Sequence, residues 1–444
     1  MAAISQRSNR VLNSDDALDD YVAVLTFHDT KITINVDHKI IAKLSSPVLC
    51  RFYPFTSTES RTGSMKNKQI RGFSNAWNVN TDLAIECIPP ITALFLSMSM
   101  YLNTIFNAKK IKDILLSIKE NHNYYMNRPE NVILQYYDMQ GSKITFYYAS
   151  YVYVTVVAYI TIPAVSLTFD LIRPSNYSQE KSFPIELDYG VDTQQYFYYL
   201  FVHSYVTIAI IANLIASCDT TYMLYAQHAY ALFAIVSYEL RTVHILDTNI
   251  LMKFKDRYLL EKHKNIELLP KEQKQMHSKL FLCIKEHQNA IEYSKLVESL
   301  FTKSIFAQLF FNVVCLTIAG VETVMKLGNV ADMIRFGSFT FAQAIHIFVL
   351  CLPGQRLLNH NEEVHAAACE AMWYIFPKNC HNLYKFLLAR TFAFSKITAL
   401  KMATMSMETF LAVMIFYRDS FHIIVKLYKI LLLLVIIFRL FKAQ

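Results

Sequence analysis

The sequence predicts an all-α, polytopic membrane protein whose spans pack side by side as a helical bundle. Three observations carry this expectation. Hydrophobic residues fill 54% of the 444 positions and charged residues only 18%, outside the balance of ordinary soluble domains. Uncharged runs of about 20 residues, the length that crosses a bilayer core of about 30 Å, recur along the chain. Basic residues gather between those runs, as they do in cytoplasmic loops. The net charge of +8 therefore follows from topology, and no nucleic-acid partner is expected. Eight glycines leave little material for a phosphate-binding loop. The eight cysteines show no CxxC spacing and are read as reduced core thiols.

Residues 1–80 form an atypical polar segment with no apolar run long enough to cross and no signal-peptide core. The alternating stretches Tyr21–Phe27 and Ile32–Val36 are short strands or nothing. The first span is Cys87–Phe106, with Pro89 and Pro90 at its entrance, where proline is tolerated. Lys109, Lys110 and Lys112 follow it and mark that end as cytoplasmic. Ile144–Phe169 is a second uncharged span, rich in tyrosine. The acidic loop after it, Asp170–Gln194, holds the sequon Asn176-Tyr177-Ser178, which places Asn176 outside as a glycosylation site.

Tyr196–Tyr238 carries Asp219 as its only charge before Glu239. It is too long for one crossing at 1.5 Å per residue and has no Gly or Pro to turn it. One span that continues as a helix beyond the membrane is expected. The lysine-rich segment Lys253–Lys279 is again cytoplasmic. Ser304–Val321 and Phe336–Gln355 are the next spans, followed by a basic loop to Lys396. Ile397–Leu427 closes the set. Glu408, Arg418, Asp419 and Lys426 interrupt its apolar run, and such charges are costly against lipid. The stretch is therefore expected to face a pore or the bundle, the alternative being a lipid-facing anchor. An apolar extension, residues 428–444, ends the chain.

These signals give six spans in one consistent orientation, residues 81–396 forming the bundle and 397–427 its last span. The first visible span runs inward, so residues 1–80 are expected to replace a start that carried one further span. Other signatures fail on context. Asp256-Arg257-Tyr258 stands in a lysine-rich loop with no apolar span before it, and His360 and His365 are five apart rather than the four that aligns two metal-binding imidazoles. No serine elbow, P-loop or paired carboxylate is present, so neither an enzyme, a metal centre nor a cofactor is expected.

From about residue 83 to 427 the chain resembles an insect odorant receptor, most closely the large hymenopteran branch. Asp192-Thr-Gln-Gln-Tyr196-Phe-Tyr-Tyr precedes the third visible span. Glu286-His-Gln-Asn-Ala-Ile-Glu-Tyr and Leu296-Val-Glu-Ser299 lead into the next. Pro353-Gly354-Gln355, Trp373-Tyr374 with Pro377, Arg390, and Thr398-Ala399 follow in the family's order. Met405-Ser-Met-Glu-Thr-Phe410 then opens the terminal helix. The departures are Leu400, where the family usually has Gly, the charged Arg418-Asp419-Ser420-Phe421, the C-terminal extension and residues 1–80.

The resemblance implies seven spans, of which six are visible here, with the N-terminus inside and the C-terminus outside. It implies an odorant-gated cation channel in the plasma membrane of sensory-neuron dendrites. Its partners are a small volatile or hydrocarbon odorant and a shared coreceptor subunit, in a hetero-oligomer expected to be a tetramer. Tyr199 and His203, four apart in the outer half of the third visible span, are expected to line the odorant cavity, with Tyr159, Phe169 and Phe339 at similar depth. By resemblance the gate falls on Ile423 and Leu427, with Asp419 one turn below on the same stripe. If Phe421–Phe438 crosses instead, Arg418 and Asp419 become membrane-surface anchors. A gustatory-type receptor and a polytopic transporter are the alternatives; the second predicts internal repeats, and none is visible.

Overall fold

A computed structural model describes residues 88–172, 196–243, 270–326, 330–422 and 426. Residues 1–80, Asn176, Ile423, Leu427 and the extension 428–444 lie outside the described residues. All the described residues except Tyr196 and Phe197 fall in one compact unit.

Six long helices carry it: α1 (Ile88–Phe106), α2 (Ala108–Tyr125), α3 (Asn131–Ile172), α4 (Phe197–Thr242), α5 (Pro270–Met325) and α6 (Val330–Glu370). Pro89 and Pro90 occupy the first turn of α1, where a missing N–H costs nothing. α1 passes almost directly into α2, since the Asn107 amide still donates to Asn103 O (3.1 Å). α4 is one unbroken helix of 46 residues, about 69 Å long at 1.5 Å per residue, so the expected single span with a helical continuation is found. α5 likewise joins the expected span Ser304–Val321 to its approach in one helix of 56 residues. The runs in α1, α4, α5 and α6 are long and apolar enough to cross a membrane, and the second expected span lies on α3.

Most of the core sits in the continuations of these helices, although the apolar runs of α5 and α6 add Ile305, Leu316, Ile347 and Leu350 to it. On α4, Tyr198, Tyr199, Val202 and Val206 are exposed, whereas Tyr225, Ala226, Tyr230, Phe233, Val236 and Leu240 are buried. The difference is physical. A surface that lipid covers needs no protein partner, but a helix that leaves the membrane must bury its apolar stripe against other protein. There α4 packs with Met276, Leu280 and Leu300 of α5, and with Leu357, Val364 and Ala368 of α6. A short helix α7 (Lys378–Thr391) adds Cys380, Tyr384 and Leu387. Charge is built into this core at Glu286, which has three donors. The Glu286 carboxylate of α5, 4% exposed, accepts from Tyr124 Oη (2.9 Å), Tyr125 Oη (3.0 Å) and Arg128 Nη1 (3.2 Å). Burial and then Glu286 push the Tyr124 phenol up to about 12, so it remains a donor at physiological pH.

The closing segment departs from the expected single helix over Ile397–Leu427. Its first ten residues make a tight antiparallel hairpin, β1 (Thr398–Ala399) against β2 (Ala403–Thr404), and the helix α8 begins only at residue 407 and is described through 422. The reason is tertiary. Thr398 Oγ1 donates to Glu298 Oε1 of α5 (2.6 Å), and the Leu400 amide donates to Thr302 Oγ1 (2.9 Å). Met405 N closes the hairpin on Ile397 O (2.9 Å). These bonds outweigh a helix propensity that is small per residue. The turn puts Leu400 and Lys401 at φ 51° and 60°, a conformation that costs an L side chain roughly 1–2 kcal/mol. That geometry explains why glycine suits position 400.

Leu400→Gly is accordingly expected to stabilise the hairpin by a few tenths to about 1 kcal/mol, after allowing for glycine's greater unfolded entropy. Hydrogen exchange at the Met405 amide measures it. Slower exchange is the expected outcome, and faster exchange contradicts the strained turn.

Candidate ligand and pore site

Asp219 is the first unexpected feature of the apolar bundle. It is 3% exposed, and a carboxylate is tolerated there only with partners. They come from two other helices, and a third is reached through His346. Tyr148 Oη of α3 donates to Asp219 Oδ2 at 2.5 Å, and His346 Nε2 of α6 lies 2.9 Å from the same oxygen. His346 Nδ1 is 3.1 Å from Asn312 Oδ1 of α5. That carboxamide serves either state of the ring, its oxygen accepting from an imidazolium and its nitrogen, after exchange, donating to neutral imidazole. The network stitches α3, α4, α5 and α6 at one level. Asp219 Oδ1 and Asn312 Nδ2 have no protein hydrogen-bond partner, so the chain ends in polar groups with capacity to spare. Sequence reasoning noted Asp219 as a lone charge but did not make it a site; an acid inside an apolar run was the available signal.

Toward the apolar ends, α3, α4 and α6 meet through aromatics. Tyr205 Oη of α4 donates to Ile160 O (2.6 Å), Tyr151 Oη of α3 donates to Ala342 O of α6 (3.0 Å), and the Phe201 and Tyr205 rings stand 4.6 Å apart. Of the expected cavity residues, His203 and Phe339 are half-buried on α4 and α6. Tyr199 is 80% exposed, so the stripe it shares with His203 turns outward at its end. The side chains of Tyr159 and Phe169 lie outside the described residues. Phe201, Tyr205 and Tyr151 are the aromatics that join these helices here.

α8 is positioned by α5 and α6 and leaves one face exposed among the described residues. Gly354 of α6 lies so close to the Met405 carbonyl that a Cβ would strike it. Next to it Gln355 Oε1 accepts from the Met407 amide (3.0 Å), while Ser406 Oγ accepts from Thr409 N (3.3 Å). Together they cap the first turn of α8. Phe410 stacks edge-on against Phe348 of α6 at 5.4 Å, and the Tyr417 side chain fits against Gly320 of α5. Met407, Val413 and Met414 complete the packed side. The opposite arc, Leu411, Ile415 and Phe416, is more than half exposed. Asp419 extends the Leu411–Ile415 stripe at i+4 spacing. It is itself exposed, and pairs at 3.0 Å with the adjacent exposed Arg418. His360 and His365 point to different partners, Glu363 (2.8 Å) and Thr391 Oγ1 (2.9 Å).

Tyr148→Phe removes one of two protein donors to a buried carboxylate oxygen and is expected to cost about 1–3 kcal/mol of stability. Thermal unfolding in lipid nanodiscs checks this, and an unchanged transition would mean that the bond to Asp219 is not made.

Known proteins share this architecture. The family model for the 7tm odorant receptors matches residues 80–417. Odorant receptor 13a of Drosophila melanogaster is 23% identical over 276 residues, 58% of this chain and 60% of the relative. Odorant receptor 63a of the same species is 26% identical over 148 residues, 33% of this chain and 35% of the relative. The chain therefore matches less than two thirds of the length of either. Among solved structures, the insect olfactory receptor OR5 from Machilis hrabei in complex with eugenol has a TM-score of 0.64 at 11% identity, covering 81% of this chain and 85% of that one. The same receptor in a second structure gives 0.57 at 14% identity with the same coverage. The matched region takes in all six long helices and α8 down to Tyr417, and by it the chain belongs to the insect 7tm odorant receptor family.

Proposed function

We propose that this chain is the odorant-binding subunit of an odorant-gated cation channel in the plasma membrane, assembled with a shared coreceptor. The observation that carries the reading is the two-sidedness of α8. One face is packed onto α5 and α6, and the other presents Leu411, Ile415 and Asp419, exposed among the described residues, with Asp419 paired only to the neighbouring Arg418 of the same helix. A last helix built this way suits a pore assembled from several subunits, each contributing one such stripe. Continued by one turn, the stripe reaches Ile423 and then Leu427, apolar side chains that close a narrow pore by excluding water. Asp419 supplies the cation preference below them.

The odorant is proposed to sit among α3, α4 and α6, against Phe201, Tyr205, His203 and Phe339. The apolar and aromatic character of these side chains favours a small volatile with at most a few polar atoms, a description that eugenol, the ligand of the Machilis hrabei receptor, also fits. The network of Asp219, Tyr148 and His346 adjoins the same three helices. α6 carries both His346 and the Phe348 contact to α8, so a ligand that moves α6 biases α8 by the difference in its affinity for the open and closed arrangements. Asn176 is proposed to face the extracellular side.

Co-expression with the coreceptor is expected to give odour-evoked cation current. In that setting Ile423→Ala should raise basal leak, and Asp419→Asn should lower cation conductance or selectivity. Normal surface expression with neither current altered would refute the proposed register of α8.

A further inference from the structure

One cluster of side chains serves neither the ligand region nor α8. It lies where α2, α3 and α4 meet. His122 of α2, Asp138 of α3 and His228 of α4 each offer one donor atom, and the three atoms lie within 4.8 Å of one another. His122 Nε2 stands 3.5 Å from Asp138 Oδ2. Ligands bound tetrahedrally at about 2.0–2.1 Å have edges of about 3.3–3.4 Å, so this pair is already near the separation that a bound ion imposes.

His228 supplies the independent observation. It is 4% exposed, its Nε2 lies 3.1 Å from Asn121 Nδ2, and its Nδ1 has no hydrogen-bond partner. A buried ring nitrogen left open in this way calls for an occupant. The neighbours around it are arranged as outer support. Asn121 is held in turn by Asn289 at 3.0 Å. Exchanging O and N in both carboxamides keeps each distance and turns the Asn121 oxygen toward Nε2–H. That tautomer leaves the Nδ1 lone pair free, so Nδ1 is the ring nitrogen that would bind the metal, the usual pattern in which an outer group fixes a histidine ligand. The Tyr293 ring, edge-on at 5.0 Å, fixes the imidazole plane. His122 and Asp138 have side chains 33% and 43% exposed, which provides an entry path and room for a water as fourth ligand.

We propose that His122, Asp138 and His228 bind a single divalent transition-metal ion, with zinc the fitting probe, and that the ion clamps α2, α3 and α4 together. Two imidazoles and one carboxylate favour such an ion over magnesium or calcium, which prefer all-oxygen shells. Sequence spacing does not reveal the set because each ligand comes from a different helix.

The test uses the full chain in lipid nanodiscs with Zn2+ or Co2+ alone, and Mg2+ as control. One equivalent of Zn2+ should bind and raise the Tm, Mg2+ should not, and Co2+ should show the visible absorption of a nitrogen–oxygen site. Replacing buried His228 can disturb the junction by itself, so the deciding variants are His122→Ala and Asp138→Asn at the exposed side. Each should fold as wild type without metal and bind Zn2+ at least about tenfold more weakly. Absence of a Zn2+-dependent Tm shift overturns the proposal. So does binding of undiminished affinity in both variants, which would place the ion elsewhere, for instance at the exposed Cys369–His365 pair.

Discussion

The placement of α8 depends on one close approach, that of the Met405 carbonyl to Gly354. A glycine is required there because any side chain would meet backbone, and backbone cannot step aside as a flexible side chain can. The contact seats the end of the hairpin on α6, beside its bonds to Glu298 and Thr302 of α5, and brings Gln355 to the first amide of α8. Pro353 just before it has no N–H, so it interrupts the α6 hydrogen-bond ladder, and its carbonyl is taken up by Tyr230 Oη at 2.7 Å. The junction is thus rigid on both sides, although the helix it launches is free along one face.

That rigidity makes α6 the link between the bundle and α8. Within ten residues it meets the Asp219 network at His346, the α8 flank at Phe348 and the α8 start at Gln355. A shift in any of these is felt by the others because packed elements respond as units and not by continuous deformation. The large core at the opposite ends of α4, α5 and α6, tied by Glu286 to α2, supplies the fixed frame against which such a shift is measured.

Much of this was legible in the sequence, for reasons that differ between elements. The spans were visible because lipid imposes a length and an absence of charge, and α4 could be read as one long helix because nothing in it turns the chain. The hairpin at Thr398–Thr404 was not visible. Its local sequence is compatible with a helix, and what overrides it are hydrogen bonds to Glu298 and Thr302, about one hundred residues earlier. Leu400 was the one local clue, as a departure from the family's glycine. The stripe proposed to line the ligand region was legible only as a spacing. Helical spacing grouped Tyr199 with His203 but does not say which way the stripe turns, and Tyr199 faces outward. The Asp219 network and the His122–Asp138–His228 cluster are each assembled from three or more helices, so no spacing rule within one helix finds them.

The central claim is that the stripe of α8 facing away from α5 and α6 meets water in the conducting assembly. Cysteine substitution along residues 411–422, probed with a charged thiol reagent during odour-evoked current, tests it most directly. The account predicts that Leu411→Cys, Ile415→Cys and Asp419→Cys react and alter the current, while Met414→Cys and Tyr417→Cys on the packed side do not. Reaction confined to positions 414 and 417, or at none of the five positions in channels that conduct, would contradict it.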